Sequence, residues 1–145
     1  MIALLNALAV LALAAPAQPP PDRGAWMAIR NGEYVAVEIH PDGGWRVLDR
    51  GPVQGGHANM PKDTVVFALS PSGQGMMLSV QNSGGQPLNY RATLRRRPDS
   101  RPEPTSVCTV LNGIAVMESW PYPIAEVDVG EFQLVTDPRQ PMVCK

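Results

Sequence analysis

The chain has 145 residues, 44% hydrophobic and 17% charged, with a formal net charge of -1. That composition excludes a disordered polyampholyte and a multispanning membrane protein, and it leaves one small globular domain with a detachable front end. With 12 Lys and Arg against 13 Asp and Glu, no long-range field exists to gather nucleic acid or to press the chain onto an anionic membrane. Arg outnumbers Lys ten to two among abundant Ala, Gly and Pro, the compositional mark of a GC-rich bacterial genome.

Ile2 to Ala15 carries no charge and is nearly all apolar. The run is short for a bilayer span and matches the hydrophobic region of a secretory signal. Ala15-Pro16-Ala17 supplies the small-x-small pattern, which predicts a signal over residues 1–17, cleavage after Ala17 and Gln18 as the mature terminus. No Lys or Arg precedes the run, so the alternative is an uncleaved N-terminal anchor. Residues 18–24, with Pro19-Pro20-Pro21, read as a stiff spacer, and 25–145 as a single β domain. The expected location is the periplasm or the medium, with no membrane span after cleavage. In that oxidising setting the only two cysteines, Cys108 and Cys144, predict a disulfide; neither has a C-x-x-C partner or a nearby His that would favour redox or metal chemistry.

From Ala25 onward apolar residues recur with period two between Gly, Pro, Asn and Asp, the pattern of strands and turns. Asn31-Gly32 predicts a type I′ hairpin that pairs Ile29 with Tyr34 and Trp26 with Val37. Pro41-Asp42-Gly43 predicts a turn that pairs Ile39 with Trp45 and Glu38 with Arg46. Both registers place Trp26, Val35, Val37, Ile39, Trp45 and Val47 on one face. Arg50 to Asp63 is a Gly-rich connection. Thr64–Ser70, Gly75–Gln81 and Leu88–Arg95 read as strands joined at Pro71-Ser72-Gly73 and Asn82-Ser83-Gly84-Gly85. Arg96 to Ser106, with three prolines, is an exposed excursion or sheet crossover. Val107–Leu111 and Ile114–Trp120 form a hairpin around Asn112-Gly113, and Glu131–Thr136 is the last strand. About nine short strands predict an antiparallel β-sandwich or open barrel. The stretch from Val65 to Leu94, with Phe67, Leu69, Leu78, Val80, Asn82 and Tyr90, resembles the strand rhythm of bacterial immunoglobulin-like sandwiches. That resemblance covers about a third of the mature chain, implies only a fold, and lacks the Cys-Trp-Cys core of antibody domains.

No nucleophile elbow, H-E-x-x-H, P-loop or dinucleotide fingerprint is present, so no catalytic residue and no cofactor are assigned. His40, before Pro41, belongs at a solvent-facing turn. His57 sits in the Gly-rich loop with Met60 and Asp63; an enzyme would need to assemble its acid and base from residues as distant as His57 and Asp63. Thioether and imidazole ligands suit Cu(I), which makes a periplasmic copper binder using His57, Met60, Met76 and Met77 the alternative function. Glu126, Asp128 and Glu131 read as a solvated acidic strand face, since no calcium-loop consensus surrounds them. Arg91, Thr93, Arg95 and Arg97 share one strand face, able to grip an acidic partner or to guard an edge strand with outward charge. Trp120-Pro121-Tyr122-Pro123 is a rigid aromatic segment, a contact site if exposed and a sealed corner if buried. The sequence therefore predicts a monomeric, exported, non-enzymatic module that contacts an envelope protein or glycan. Its contact residues would come from Arg91, Arg95, Arg97, Trp120, Tyr122 and the Gly51–Met60 loop.

Overall fold

The computed structural model of the chain describes residues 26–53, 61–137 and 139–145. The signal, the spacer and most of the Gly-rich connection, with His57 and Met60, lie outside the described residues. Nine strands and no helix occur among them: β1 (Trp26–Arg30), β2 (Glu33–Ile39), β3 (Trp45–Pro52), β4 (Thr64–Ser72), β5 (Gly75–Asn82), β6 (Leu88–Arg95), β7 (Glu103–Thr105), β8 (Ala115–Trp120) and β9 (Glu126–Leu134). They form two antiparallel sheets, one of four strands ordered β1-β9-β6-β7 and one of five ordered β3-β2-β4-β5-β8. The two are packed together as a β-sandwich.

The alternating residues of each strand decide which face turns inward. Val35 and Val37 of β2, Phe67 and Leu69 of β4, and Leu78 and Val80 of β5 meet Leu88 and Tyr90 of β6 and Val127 and Val129 of β9 in one buried cluster. Phe67 lies at the aromatic heart of that cluster, 5.6 Å from the Tyr90 ring and 5.9 Å from Phe132. β4 is also buried on its other face, through Thr64, Val66 and Ala68.

The β2–β3 hairpin has the predicted register, with Ile39 opposite Trp45 and Glu38 opposite Arg46. Its turn closes by a bond from the His40 amide to the Gly44 carbonyl, with Gly43 at a φ of 86°. The Arg46 guanidinium lies 2.7 Å from the Glu38 carboxylate and holds its pKa below the usual range.

The two hairpins predicted at Asn-Gly are overturned. β1 pairs with β9, while β2 pairs with β3 and β4, so Asn31-Gly32 carries the chain between sheets. A type I′ turn needs positive φ at both central residues, and here only Gly32 has it, at 81°. The Asn31 amide donates to the Ala125 carbonyl and the Gly32 amide to that of Leu69, so both turn donors are engaged by other segments. Trp26 consequently leaves the predicted apolar face: Met27 and Ile29 point into the core instead. Asn112-Gly113 repeats the pattern, because the Gly113 amide bonds the Asn82 carbonyl and β8 pairs with β5. Residues 107–111 form no strand, only bridges to Leu88 and Cys144.

Cys108 and Cys144 form the predicted disulfide. Around it the end of the chain lies along residues 107–109, with the Val107 and Lys145 amides each donating to the other's carbonyl. The sandwich is laced shut beside this bridge. Glu118 of β8 accepts a 2.9 Å bond from the Cys108 amide, and the buried Trp120 donates its Nε1 proton to Thr105 of β7 at 3.0 Å. The Tyr90 hydroxyl is buried nearby with no hydrogen-bond partner, and burial, aided by the Glu118 charge, pushes its pKa far above the ordinary 10.0. The fold thus tolerates only the neutral phenol, whereas the unfolded chain ionises near pH 10. Stability is therefore complete below that pH and falls by about 1.4 kcal/mol per pH unit above it. Tyr90→Phe is expected to hold or raise the melting temperature at pH 7 and to flatten the alkaline limb. Melting curves from pH 7 to 11 check this, and an unchanged limb would refute it.

Candidate functional site

The outer face of the four-stranded sheet carries most of the charge that the sequence brings together. Glu126 and Asp128, expected on a solvated face, are instead 8% and 5% exposed. The reason is pairing across the strands. Arg95 of β6 lies opposite Glu126 and sits 3.4 Å from its carboxylate and 3.6 Å from that of Asp128, while its Nη1 donates to the Ser100 carbonyl. β6 is flanked by β9 and β7, so the edge-guarding role predicted for its arginines does not apply.

The other predicted contact residues are similarly engaged. Arg97 stands in the 97–100 turn, 3.7 Å from Asp99, with both side chains exposed. Arg96 lies 4.0 Å over the Tyr122 ring, and Tyr122 itself packs against the core. Met76 is buried in the core, and Met77 points to the opposite face of β5. His40 is exposed at the turn, 3.6 Å from Glu38. Asp63 has a φ of 60° and lines a hollow of about 250 Å³ with Asn82 and Leu134. Among the described residues no group of three His, Cys, Asp or Glu is placed to hold a metal ion.

Arg91 is different. It lines a cleft of about 380 Å³ on the outer face, together with Trp26, Thr93, Pro104, Glu131 and Lys145. The cleft is a product of register. Trp26 and Arg91 each lie opposite Gly130, one on either side of β9, and Gly130 adds no side chain between them. One residue further on, β9 bulges. Asn89 pairs with Gln133 and Arg91 with Gly130, so that Tyr90 alone opposes two residues, Glu131 and Phe132. The extra residue lets Phe132 keep its place in the core and turns Glu131 outward, in the left-handed region at a φ of 51°. Its carboxylate lies 3.1 Å from Nε of Arg91. Lys145 reaches the cleft because the disulfide and the bonds to Val107 fix the end of the chain along its rim.

Sequence reading named Arg91 and missed Trp26, Glu131 and Lys145 as its companions. A signal was present: after Val127 and Val129 the next large apolar residue is Phe132, and this break in period two marks the bulge. Such an arrangement gathers an aromatic wall, a paired cation and anion, and the hydroxyl groups of Thr93, Thr105 and Ser106 on one surface.

The fold and site define a disulfide-bridged β-sandwich with an outer-face cleft. The chain matches no protein-family model, no curated protein and no solved structure. Among the described residues no helix is long and apolar enough to cross a membrane.

Proposed function

We propose that this chain is an exported, non-enzymatic module that binds a component of the bacterial cell envelope through the cleft at Trp26, Arg91 and Glu131. Export is supported by the apolar Ile2–Ala15 run with Ala15-Pro16-Ala17 behind it, and by a disulfide that persists in oxidising compartments. The observation that carries the binding reading is the cleft itself, where a strained non-glycine bulge residue is held against Arg91 at the surface.

The test is cosedimentation of the purified protein with isolated envelope fractions. The protein is expected to pellet with them, and Arg91→Ala, which lies outside the core, is expected to leave most of it in the supernatant with its melting temperature unchanged. Equal pelleting of protein and variant, or pelleting of neither, would overturn the proposal. Intact mass of the protein recovered from its native envelope checks export separately: a chain beginning at Gln18 is expected, and retention of Met1 refutes cleavage.

A further inference from the structure

We infer that the cleft takes a neutral glycan, gripping a vicinal diol of a pyranose ring laid beside Trp26; this rests on the reading of the cleft as the contact surface. Arg91 and Glu131 place a guanidinium donor and a carboxylate acceptor 3.1 Å apart, with 60% and 54% of their side-chain surfaces exposed. A vicinal diol is the complement of that pair, because one hydroxyl donates to the carboxylate while its neighbour accepts from the guanidinium. A carboxylate or phosphate ligand fits worse, since it would meet the charge of Glu131 and have to displace an ion pair already made.

Trp26 supplies the second half of the recognition. It is half-buried and stands two strands away from Arg91, across Gly130. Strand spacing sets that distance at about 10 Å, room for one sugar ring between indole and guanidinium. The C–H face of a pyranose is apolar and packs on an aromatic ring while its hydroxyls remain free for polar groups. Thr93 and Lys145 add further polar groups on the same lining.

The backbone points the same way. Glycine would occupy the φ of 51° at position 131 without cost, yet the chain carries Glu there, at an exposed position outside the core. Position 131 gives up backbone preference for a side chain that meets Arg91 at the surface.

The test titrates the purified protein, by calorimetry, with cellohexaose and xylohexaose, whose residues keep the 2,3-diol, as neutral probes and hexagalacturonate as the anionic one. At least one neutral probe is expected to bind. Trp26→Ala and Glu131→Gly should each weaken it by about tenfold or more, the loss typical of removing a central contact. Glu131→Gly is also expected to raise the melting temperature, so that binding and stability move in opposite directions and misfolding cannot account for the loss. Binding of hexagalacturonate alone, or full binding by Glu131→Gly, would overturn the inference. If no neutral probe binds while envelope retention still depends on Arg91, the glycan assignment falls and the contact surface stands; if retention is also independent of Arg91, both fall.

Discussion

Replacing Cys108 and Cys144 together by Ser is expected to remove about 4 kcal/mol of stability, from the entropy of closing a 36-residue loop in the unfolded chain. For a domain of this size that is a large share of the whole. The native contacts argue for the same order of loss, because the bridge secures residues 143–145 along 107–109 and, through them, one rim of the cleft. Urea unfolding of the oxidised protein and of the double variant measures it. A loss below about 1 kcal/mol would mean that the backbone bonds around Val107 and Thr109 hold the end of the chain unaided.

Phe67→Ala is expected to cost about 4 kcal/mol, at the upper end for a core truncation. Phe67 is fully buried and touches both Tyr90 and Phe132, one from each side of the bulge opposite. The cavity would open between the two sheets, where strands held by their ladders have little freedom to collapse. Phe67→Leu, which keeps most of the volume, should cost less than half as much. Equal losses for the two variants in chemical denaturation would show that the ring contacts, not the filled volume, carry the effect.

The strand content and the inward alternation were legible because they are local. Phe67, Leu69, Leu78, Val80 and Tyr90 declare a buried face by spacing alone, and the turn at Gly43 announces its register because its partners are sequence neighbours. The disulfide was legible for a different reason, there being only two cysteines to join. The partners of β1 and β8 were not legible. An Asn-Gly pair specifies backbone angles over two residues, and the same Gly φ serves a hairpin or a corner between sheets; what decides is the competition for the turn amides, won here by Ala125, Leu69 and Asn82. The charged strip was misread for the same reason. Arg95 looks like a free cation until β9 sets Glu126 and Asp128 beside it, and Glu131 looks like one more acid until the bulge turns it toward Arg91.

The pairing of Trp26 with Gly130 also sets a long loop to be closed during assembly. The hairpins β2–β3 and β4–β5 pair sequence neighbours and can form as soon as they exist, but β1, among the described residues, has its ladder with β9, almost the whole domain away in sequence. Closing so long a loop is entropically costly and slow. A strand made ahead of every other described strand is therefore among the last to be seated, and a chain shortened before Glu126 would lose the strand that separates β1 from β6, and with it Glu131 and the ladder that holds Trp26 beside the cleft.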